Sequence, residues 1–269
     1  HAMPGVEIAW TAGRDWKTKL QRVHGTTVPT DGVAIAVPAP AQPEIARAAL
    51  DASLPIFIEK PMALDPSVAR MIRDKALVMG DLPVLVDHIG LFSPEYEVLR
   101  AELTGKTIES LETFAGNHGP FRDWGSHSTL WDYGPHEAAF ALDLIGVPDF
   151  VSSIGASSEH GTDYIASLKW QDGTWASLSF GNAFTKKTRQ LMVRADGDVW
   201  KLDGVLGVSE RLTKNGLPVP VGPPVPPLDR ALGVWLDAVR GETRDERVGC
   251  ALGVKVTELL MRMIPPEAP

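Results

Sequence analysis

The stretch Ile56-Phe57-Ile58-Glu59-Lys60-Pro61 decides the fold. Three consecutive apolar residues are typical of a strand buried on both faces, as in parallel sheets that helices cover on each side. Glu59 and Lys60 then mark the carboxyl end of the strand, and Pro61 fixes a turn. Ligands bind outside the carboxyl ends of the strands in open parallel sheets. The stretch therefore predicts a parallel strand with Lys60 at the mouth of a site.

Short apolar strands alternate with helical stretches around this segment. The predicted strands are Val6–Trp10, Val33–Val37, Ile56–Glu59 and Pro83–His88. Apolar residues recur at helical spacing in the stretches between them, Gln42–Ala52 and Pro66–Val78. Strands that alternate with helices in this way indicate βα units. We expect residues 1–104 to form a doubly wound parallel α/β domain.

The pattern changes near residue 106 to that of antiparallel strands. A hairpin signal, Gln171-Asp172-Gly173, separates the first two of the predicted strands, which are Tyr164–Trp170, Thr174–Phe180, Thr188–Arg194 and Val199–Leu202. We expect residues 105–269 to form an α+β domain with a large, mostly antiparallel open sheet.

Helices are also predicted in the second half. One covers Gly134–Ile145, with Pro135 at its first position. The Pro-rich run Leu217–Pro227 predicts irregular structure, and the two helices after it, Asp229–Arg240 and Arg247–Met263, are expected to pack back on the first domain.

Composition narrows the class of function. The chain has 269 residues, 44% of them hydrophobic, a net charge of −8 and a pI near 5.4. An acidic chain without a basic stripe argues against a nucleic-acid partner and favours a small-molecule substrate. The single cysteine, Cys250, excludes an intrachain disulfide, and no apolar run is long enough to span a membrane. We expect a cytoplasmic protein.

Two groups of residues are candidates for catalysis. Lys60 is one, although at a strand end it could equally be a solvated lysine paired with Glu59. The second is the pair Asp132 and His136, whose spacing of four lets both face one side of a helix. A carboxylate near an imidazole raises its basicity, as acid–base catalysis requires. The alternative is a helix-capping Asp132 and a His136 that packs or hydrogen-bonds to the backbone.

Several other residues are candidates for substrate binding. His88 lies at the carboxyl end of a predicted strand. The irregular segment 116–131 suits a substrate loop, and it contains His118, Arg122 and Trp131. Arg122 could hold a carboxylate or hydroxyl groups, or could be a surface charge. No spacing typical of metal ligands occurs, so no metal is predicted.

Four segments in this order resemble the Gfo/Idh/MocA family, the relatives of glucose-fructose oxidoreductase and inositol dehydrogenase. They are Asp31–Pro38, Ile56–Pro61, Val86–Pro94 and Asp132–His136. The resemblance extends along nearly the whole chain. The combination of Glu-Lys-Pro at a strand end with a downstream Asp-x-x-x-His is specific, whereas each motif alone is weak.

The resemblance implies a Rossmann-like fold and hydride transfer between NAD or NADP and a hydroxyl or carbonyl carbon of a sugar-like or other small polar substrate. It implies that Lys60 hydrogen-bonds the reacting oxygen, His136 moves its proton, and Asp132 orients substrate or tunes His136. The cofactor-binding residues would be Arg14, Pro38, Glu59 and Lys60. Such proteins usually form homodimers or homotetramers through the C-terminal sheet.

The chain departs from the family in the half that would bind the nucleotide. It contains no Gly-x-Gly-x-x-Gly turn for the pyrophosphate and begins at what resembles the second strand. The connection from Arg14 to Asp31 is short, and no helix is expected there. The strands that remain re-pair, or another chain supplies the missing one. A relative that uses Lys60, Asp132 and His136 for proton transfer alone, as a lyase, isomerase or cyclase, is the alternative function, and a non-catalytic binding subunit is a third.

Overall fold

A computed structural model describes residue 3 and residues 5–23, 30–119, 128–205, 211–242 and 245–265. The chain divides into two compact units. The small-sheet unit comprises His1–Asp87 and Leu228–Val254, and the large-sheet unit comprises His88–Pro227 and Lys255–Pro269. The first boundary therefore falls at residues 87 and 88, ahead of the expected boundary at 104 and 105.

The α-helices of the described residues range from 8 to 17 residues in length. They are α1 Trp16–Val23, α2 Gln42–Asp51, α3 Pro66–Val78, α4 Pro94–Leu103, α5 Ser128–Leu144, α6 Pro227–Arg240 and α7 Cys250–Arg262. Two short 3-10 helices cover Ala39–Ala41 and Ile89–Phe92. Among the residues with assigned positions, no helix has both the length and the apolar character that crossing a membrane requires.

The strands form two sheets. They are β1 Val33–Ile35, β2 Ile56–Glu59, β3 Val84–Asp87, β4 Ile108–His118, β5 Phe150–Ser158, β6 Gly161–Lys169, β7 Trp175–Gly181, β8 Ala183–Ala195, β9 Asp198–Asp203, β10 Leu212–Lys214 and β11 Leu217–Pro218. The small sheet has the order β1-β2-β3, with parallel pairs. The large sheet has the order β11-β10-β9-β8-β4-β7-β6-β5, and its pairs are antiparallel except β4 with β7. This is the fold class that the sequence predicts.

Strand β2 is the centre of the small sheet and is buried on both faces. Ile56 and Ile58 belong to the core formed with α2 and α3, and neither has exposed surface. Phe57 points the opposite way, and its ring centroid lies 6.0 Å from that of Trp235 on α6. Burying such a side chain stabilises the fold by about 1.5–3 kcal/mol. Helices on both faces explain why every position before Glu59 is apolar.

The prediction of a strand at Val6–Trp10 is wrong. These residues form no strand, and 77% of Ile8 is exposed. The Trp10 indole donates a hydrogen bond of 3.4 Å to the hydroxyl of Thr30 instead. None of the described residues forms a ladder with this segment, and an apolar run becomes a strand only when a neighbour satisfies its backbone.

The connection from Arg14 to Asp31 contains a helix, although the sequence predicts none. Helix α1 begins after Asp15, whose carboxylate accepts a hydrogen bond of 3.0 Å from the backbone N–H of Gly13. Leu20 is buried in the core of the small-sheet unit, and Trp16 packs against that core. This helix has eight residues, fewer than the windows over which helical periodicity is reliably recognised in a sequence.

Helix α5 starts earlier than predicted. It begins at Ser128, so Pro135 lies inside the helix rather than at its first position. Proline removes one backbone donor there. Gly134 is needed for close packing, because a Cβ at this position would lie 2.6 Å from a methyl group of Leu260 on α7. The Gly-Pro pair is therefore a point of contact within a long helix and does not mark its start.

The pattern misses two long strands of the large sheet, β4 and β5. Burial alternates only weakly along β5, whose residues are mostly exposed, so its sequence carries little strand signal. The run Leu217–Pro227, predicted to be irregular, contributes the two-residue strand β11 and the first residue of α6.

One face of the large sheet is open. Ile154 on β5 and Ile165 on β6 lie opposite each other in the ladder, so both side chains point to the same face. They are 66% and 46% exposed. Trp175 on β7 adds a ring that is 41% exposed. Exposed apolar patches of this kind often mark interfaces between proteins.

We expect the protein to associate through this face. Replacing Ile154 and Ile165 together by Lys should lower the molar mass measured by light scattering after size-exclusion chromatography. The two lysines would place two positive charges side by side, and burying them in an interface without partners is unfavourable. Val78→Lys, at an 80% exposed position on α3, is the matched control and should leave the mass unchanged. A double variant with the wild-type mass, or a monomeric wild-type protein, would contradict the expectation.

Candidate functional site

The carboxyl ends of β2 and β3 bring polar side chains together in the small-sheet unit. Glu59 and Asp87 are partners in the parallel ladder, so their side chains emerge on the same face of the sheet. That face also carries Phe57, because side chains two apart along a strand share a face. Lys60 follows directly, is half-buried, and precedes Pro61 across a cis peptide bond. The predicted strand Ile56–Glu59 is confirmed, and Lys60 is the residue after its carboxyl end.

Asp87 is the most unusual group of this cluster. Only 4% of its surface is exposed, and its Oδ1 has no hydrogen-bond partner within the described part of the chain. The pKa of Asp87 is raised to about 7, because burial and, to a smaller extent, the charge of Glu59 raise it while the charge of Lys60 partly offsets them. Because this carboxyl group titrates near neutral pH, it can take up or release a proton under ordinary conditions.

Asp87 is absent from the residues that the sequence predicts for the site. Its signal was an acidic residue at the end of the apolar run Val84-Leu85-Val86, beside the end of another strand. Sequence alone does not reveal the register that sets Asp87 beside Glu59.

The predicted cofactor-binding residues Pro38 and Arg14 are both exposed. Pro38 is exposed and follows β1, so it belongs to the same carboxyl edge as Glu59 and Lys60. Arg14 is exposed just before α1. His88 follows Asp87 but is not a loop residue on the surface: it is 3% exposed, and its carbonyl accepts a hydrogen bond of 2.9 Å from Leu91 at the start of the large-sheet unit.

Helix α5 carries the second predicted group, in the large-sheet unit. Asp132 and His136 lie one turn apart within the helix and are both half-buried, so they share a side of α5 as predicted. Trp131 is 6% exposed and belongs to the core.

The remaining predicted residues precede α5 in the chain. His118 ends β4, where its ring centroid lies 5.4 Å from that of His160. Arg122 lies outside the described residues. Among the side chains that are described, no three His, Cys, Asp or Glu residues are grouped closely enough to hold a metal ion.

Glu137 is a second buried acid that the sequence does not single out. It follows His136 but faces the sheet, and it is 2% exposed. Its pKa is raised to about 7, because burial outweighs two neighbours that lower the pKa, the charge of Arg189 and the hydroxyl of Thr113. The Thr113 oxygen is itself buried and has no hydrogen bond of standard geometry to the described residues. Burial likewise raises the pKa of Tyr133, one turn before Glu137.

A nicotinamide dinucleotide fits part of this arrangement. Such a cofactor binds outside the carboxyl ends of a parallel sheet, and the buried Oδ1 of Asp87 has no hydrogen-bond partner among the described residues. Pro38, Glu59 and Lys60 line this edge. The Gly-rich turn for the pyrophosphate is not among the residues of this chain. The residues present therefore fit the nicotinamide end.

Solved structures with the same fold are oxidoreductases. A candidate oxidoreductase from Magnetospirillum magnetotacticum MS-1 is 28% identical, with a TM-score of 0.82 over 93% of this chain and 84% of that one. UDP-N-acetylglucosamine 3-dehydrogenase from Acidithiobacillus ferrooxidans is 19% identical, with a TM-score of 0.78 over 94% and 81%. Biliverdin reductase from Synechocystis, solved with biliverdin and NADP+, is 17% identical, with a TM-score of 0.74 over 93% and 83%.

Comparison by sequence adds no further relationship. No protein-family model matches the chain, and no curated protein matches it. The structural likeness shows that the chain has the Rossmann-like fold of these oxidoreductases.

Burial of Glu137 on α5 predicts how the free energy of unfolding depends on pH. The pKa of Glu137 is raised from 4.5 to about 7 on folding. Folding therefore becomes less favourable as pH rises between these values, because the unfolded chain ionises first. A tenfold change in an acid dissociation constant corresponds to about 1.4 kcal/mol. Glu137→Gln removes this cost, so its free energy of unfolding relative to wild type should rise by roughly 2 kcal/mol between about pH 5 and about pH 8.

Urea denaturation at the two pH values measures this difference. Glu159→Gln is the control, since Glu159 is an exposed acid on the same unit. An equal effect of Glu137→Gln at both pH values would show that this carboxyl group does not titrate as described.

Proposed function

We propose that this chain is an oxidoreductase that moves hydride between a nicotinamide cofactor and a hydroxyl or carbonyl carbon of a sugar-like or other small polar substrate. The observation that carries the proposal is Lys60 at the carboxyl end of a buried parallel strand, beside an acid that titrates near neutral pH. The fold supports it, since neighbours that share it include a sugar-nucleotide dehydrogenase and a reductase solved with NADP+.

The cofactor would be held at the edge already described. Glu59, Lys60 and Pro38 would hold the nicotinamide end, and Arg14 would lie toward the adenosine, where a guanidinium suits a 2′-phosphate. When bound, the nicotinamide supplies the acceptor or donor of hydride. The protein's part is to bind, to orient and to handle the proton.

Lys60 would act on the reacting oxygen of the substrate. Its ammonium group has three donors and no acceptor, so it hydrogen-bonds a carbonyl or an alkoxide more strongly as negative charge develops. Hydride removal from a carbon that carries a hydroxyl leaves a proton to be taken away. A positioned acid–base group accelerates such a step by about 10²–10⁴-fold.

His136 and Asp132 are proposed to serve the same chemistry. Their one-turn spacing on α5 sets a carboxylate near an imidazole, and a carboxylate favours the protonated imidazole. His136 can then give or take a proton near neutral pH. These roles stay a prediction from the family resemblance. If they are correct, Asp132→Asn should shift the pH–activity profile, because His136 loses its neighbouring carboxylate.

A neutral polar substrate suits the chain. The net charge of −8 gives an anionic substrate no long-range attraction to the protein. Sugars and related polyols carry many hydroxyl groups and no charge, which matches donors and acceptors such as those of Lys60 and Asp132.

Cofactor binding is the first test. We expect NADH or NADPH to bind with a Kd that is roughly micromolar, followed by the change in nicotinamide fluorescence when each is titrated into the protein. Arg14→Ala should weaken NADPH more than NADH, because only NADPH has the 2′-phosphate. Failure of both cofactors to bind would overturn hydride transfer and leave proton transfer by the same residues, as in a lyase, isomerase or cyclase.

Replacement of Lys60 is the second test. With the bound cofactor and a panel of sugars and cyclitols, Lys60→Ala should lower kcat by about 10²–10⁴-fold, because the acid–base group is lost. Lys169→Met removes an exposed lysine from β6 and should leave kcat unchanged. A Lys60→Ala protein that folds and turns over at the wild-type rate would exclude Lys60 from catalysis.

A further inference from the structure

We infer that Asp87 is a positioning residue for Lys60, the carboxylate that receives a proton from Lys60 while Lys60 takes one from the substrate. The inference rests on the proposed function and gives the substrate proton a path through Lys60 and Asp87, in place of the path through His136 that the family resemblance implies. Asp87 and Lys60 act as a pair at the ends of two adjacent strands, both within the small-sheet unit.

The register of the small sheet sets the two residues close together. Asp87 lies directly opposite Glu59, and Lys60 is the next residue after Glu59. Two acids and one lysine therefore share the end of two strands. The charge of Lys60 reaches Asp87, because Lys60 lowers the pKa of a carboxyl group that burial has raised.

Two carboxylates on the surface of this chain, Asp65 and Asp172, are built differently. Asp65 accepts a hydrogen bond of 2.6 Å from the backbone N–H of Ser67, and its pKa is lowered. Asp172 accepts one of 2.9 Å from the backbone N–H of Thr174, and its pKa is lowered as well. Hydrogen bonds to the charged form keep such groups ionised. Asp87 shows the reverse on each point, since it is buried, its Oδ1 has no described partner, and its pKa is raised.

Burying a carboxyl group that has one unpartnered oxygen is costly, and an asparagine or a leucine would fill the same space at the end of β3 at a lower cost in free energy. A cost of this kind is typical of functional sites, where carboxyl groups are tuned toward neutral pH to transfer protons. A group that gains a proton readily near pH 7 is suited to receive one from an ammonium neighbour.

The proton balance of the step is simple. In the oxidative direction the substrate O–H bond breaks and its proton adds to Nζ of Lys60. One N–H proton of Lys60 passes to a carboxylate oxygen of Asp87, which becomes a carboxylic acid. The substrate carbon loses hydride in the reaction proposed above. Lys60 is an ammonium group before and after, and Asp87 returns its proton to solvent through Lys60 in the next cycle.

The chemical reactivity of Lys60 tests the pair without cofactor or substrate. Trinitrobenzenesulfonate reacts with neutral amines, and peptide mass spectrometry locates the modified lysine. At about pH 8 an ionised Asp87 favours the unreactive ammonium form of Lys60, so Asp87→Asn should raise the modification rate of Lys60 by at least about threefold. Lys169 in the same samples is the internal control. An unchanged Lys60 rate would overturn the pairing.

Kinetics then separate this inference from the proposed function. With an active dehydrogenase, Asp87→Asn should lower kcat in the oxidative direction and abolish the rise of kcat through about pH 7, the pKa of the acceptor. Wild-type kcat and pH dependence in this variant would overturn the role of Asp87 and leave hydride transfer standing. Loss of cofactor binding in the wild-type protein would overturn hydride transfer and leave the reactivity test valid.

A second variant covers the case in which Asp87→Asn does not fold. Glu59→Gln removes the like charge that raises the pKa of Asp87. The pH at which Lys60 reactivity changes should then move downward, because Asp87 ionises at lower pH. An unmoved transition would also contradict the pairing, since the neighbours of Asp87 set its ionisation.

Discussion

Parallel pairing of β2 between β1 and β3 is the constraint on which the small-sheet unit depends. A strand with a neighbour on each side and helices on both faces has its backbone N–H and C=O groups satisfied and must be apolar along its length. Ile56, Phe57 and Ile58 meet that requirement. Strand β2 ends at Glu59, so the strand determines the position of the polar edge as well as that of the core.

The same pairing creates the chemical conflict at that edge. Because parallel strands align their residues, Glu59 meets Asp87, and two carboxyl groups of like charge share a site where water is scarce. One of the two carboxyl groups stays protonated over part of the physiological pH range. That group is Asp87, because burial raises its pKa. The positive charge of Lys60 reduces the repulsion between these carboxyl groups, and the carboxylates in turn attract the Lys60 ammonium group. The fold and the proton chemistry thus have one origin, the register of two strands.

The sequence predicted what depends on local pattern. Strand 56–59 was predicted correctly because an apolar run followed by charge is a direct signal, and the spacing of Asp132 and His136 was enough to place them on one side of a helix. Features that depend on contacts between distant parts of the chain could not be predicted from local pattern. Val6–Trp10 has the composition of a strand, but a strand also needs a neighbouring strand to pair with. The start of α5 was predicted too late because Pro135 lies inside the helix, whereas proline is usually found in the first turn. Asp87 and Glu137 became visible only through burial and register.

The ring contact between Phe57 and Trp235 affects how the chain folds during synthesis. Trp235 belongs to the small-sheet unit, yet the whole of the large-sheet segment up to Pro227 separates it from β2 in the sequence. One face of the first sheet must therefore stay uncovered until the ribosome has made most of the protein. Contacts so distant in sequence close slowly, and the exposed apolar face in the meantime is a surface on which nascent chains aggregate or chaperones bind.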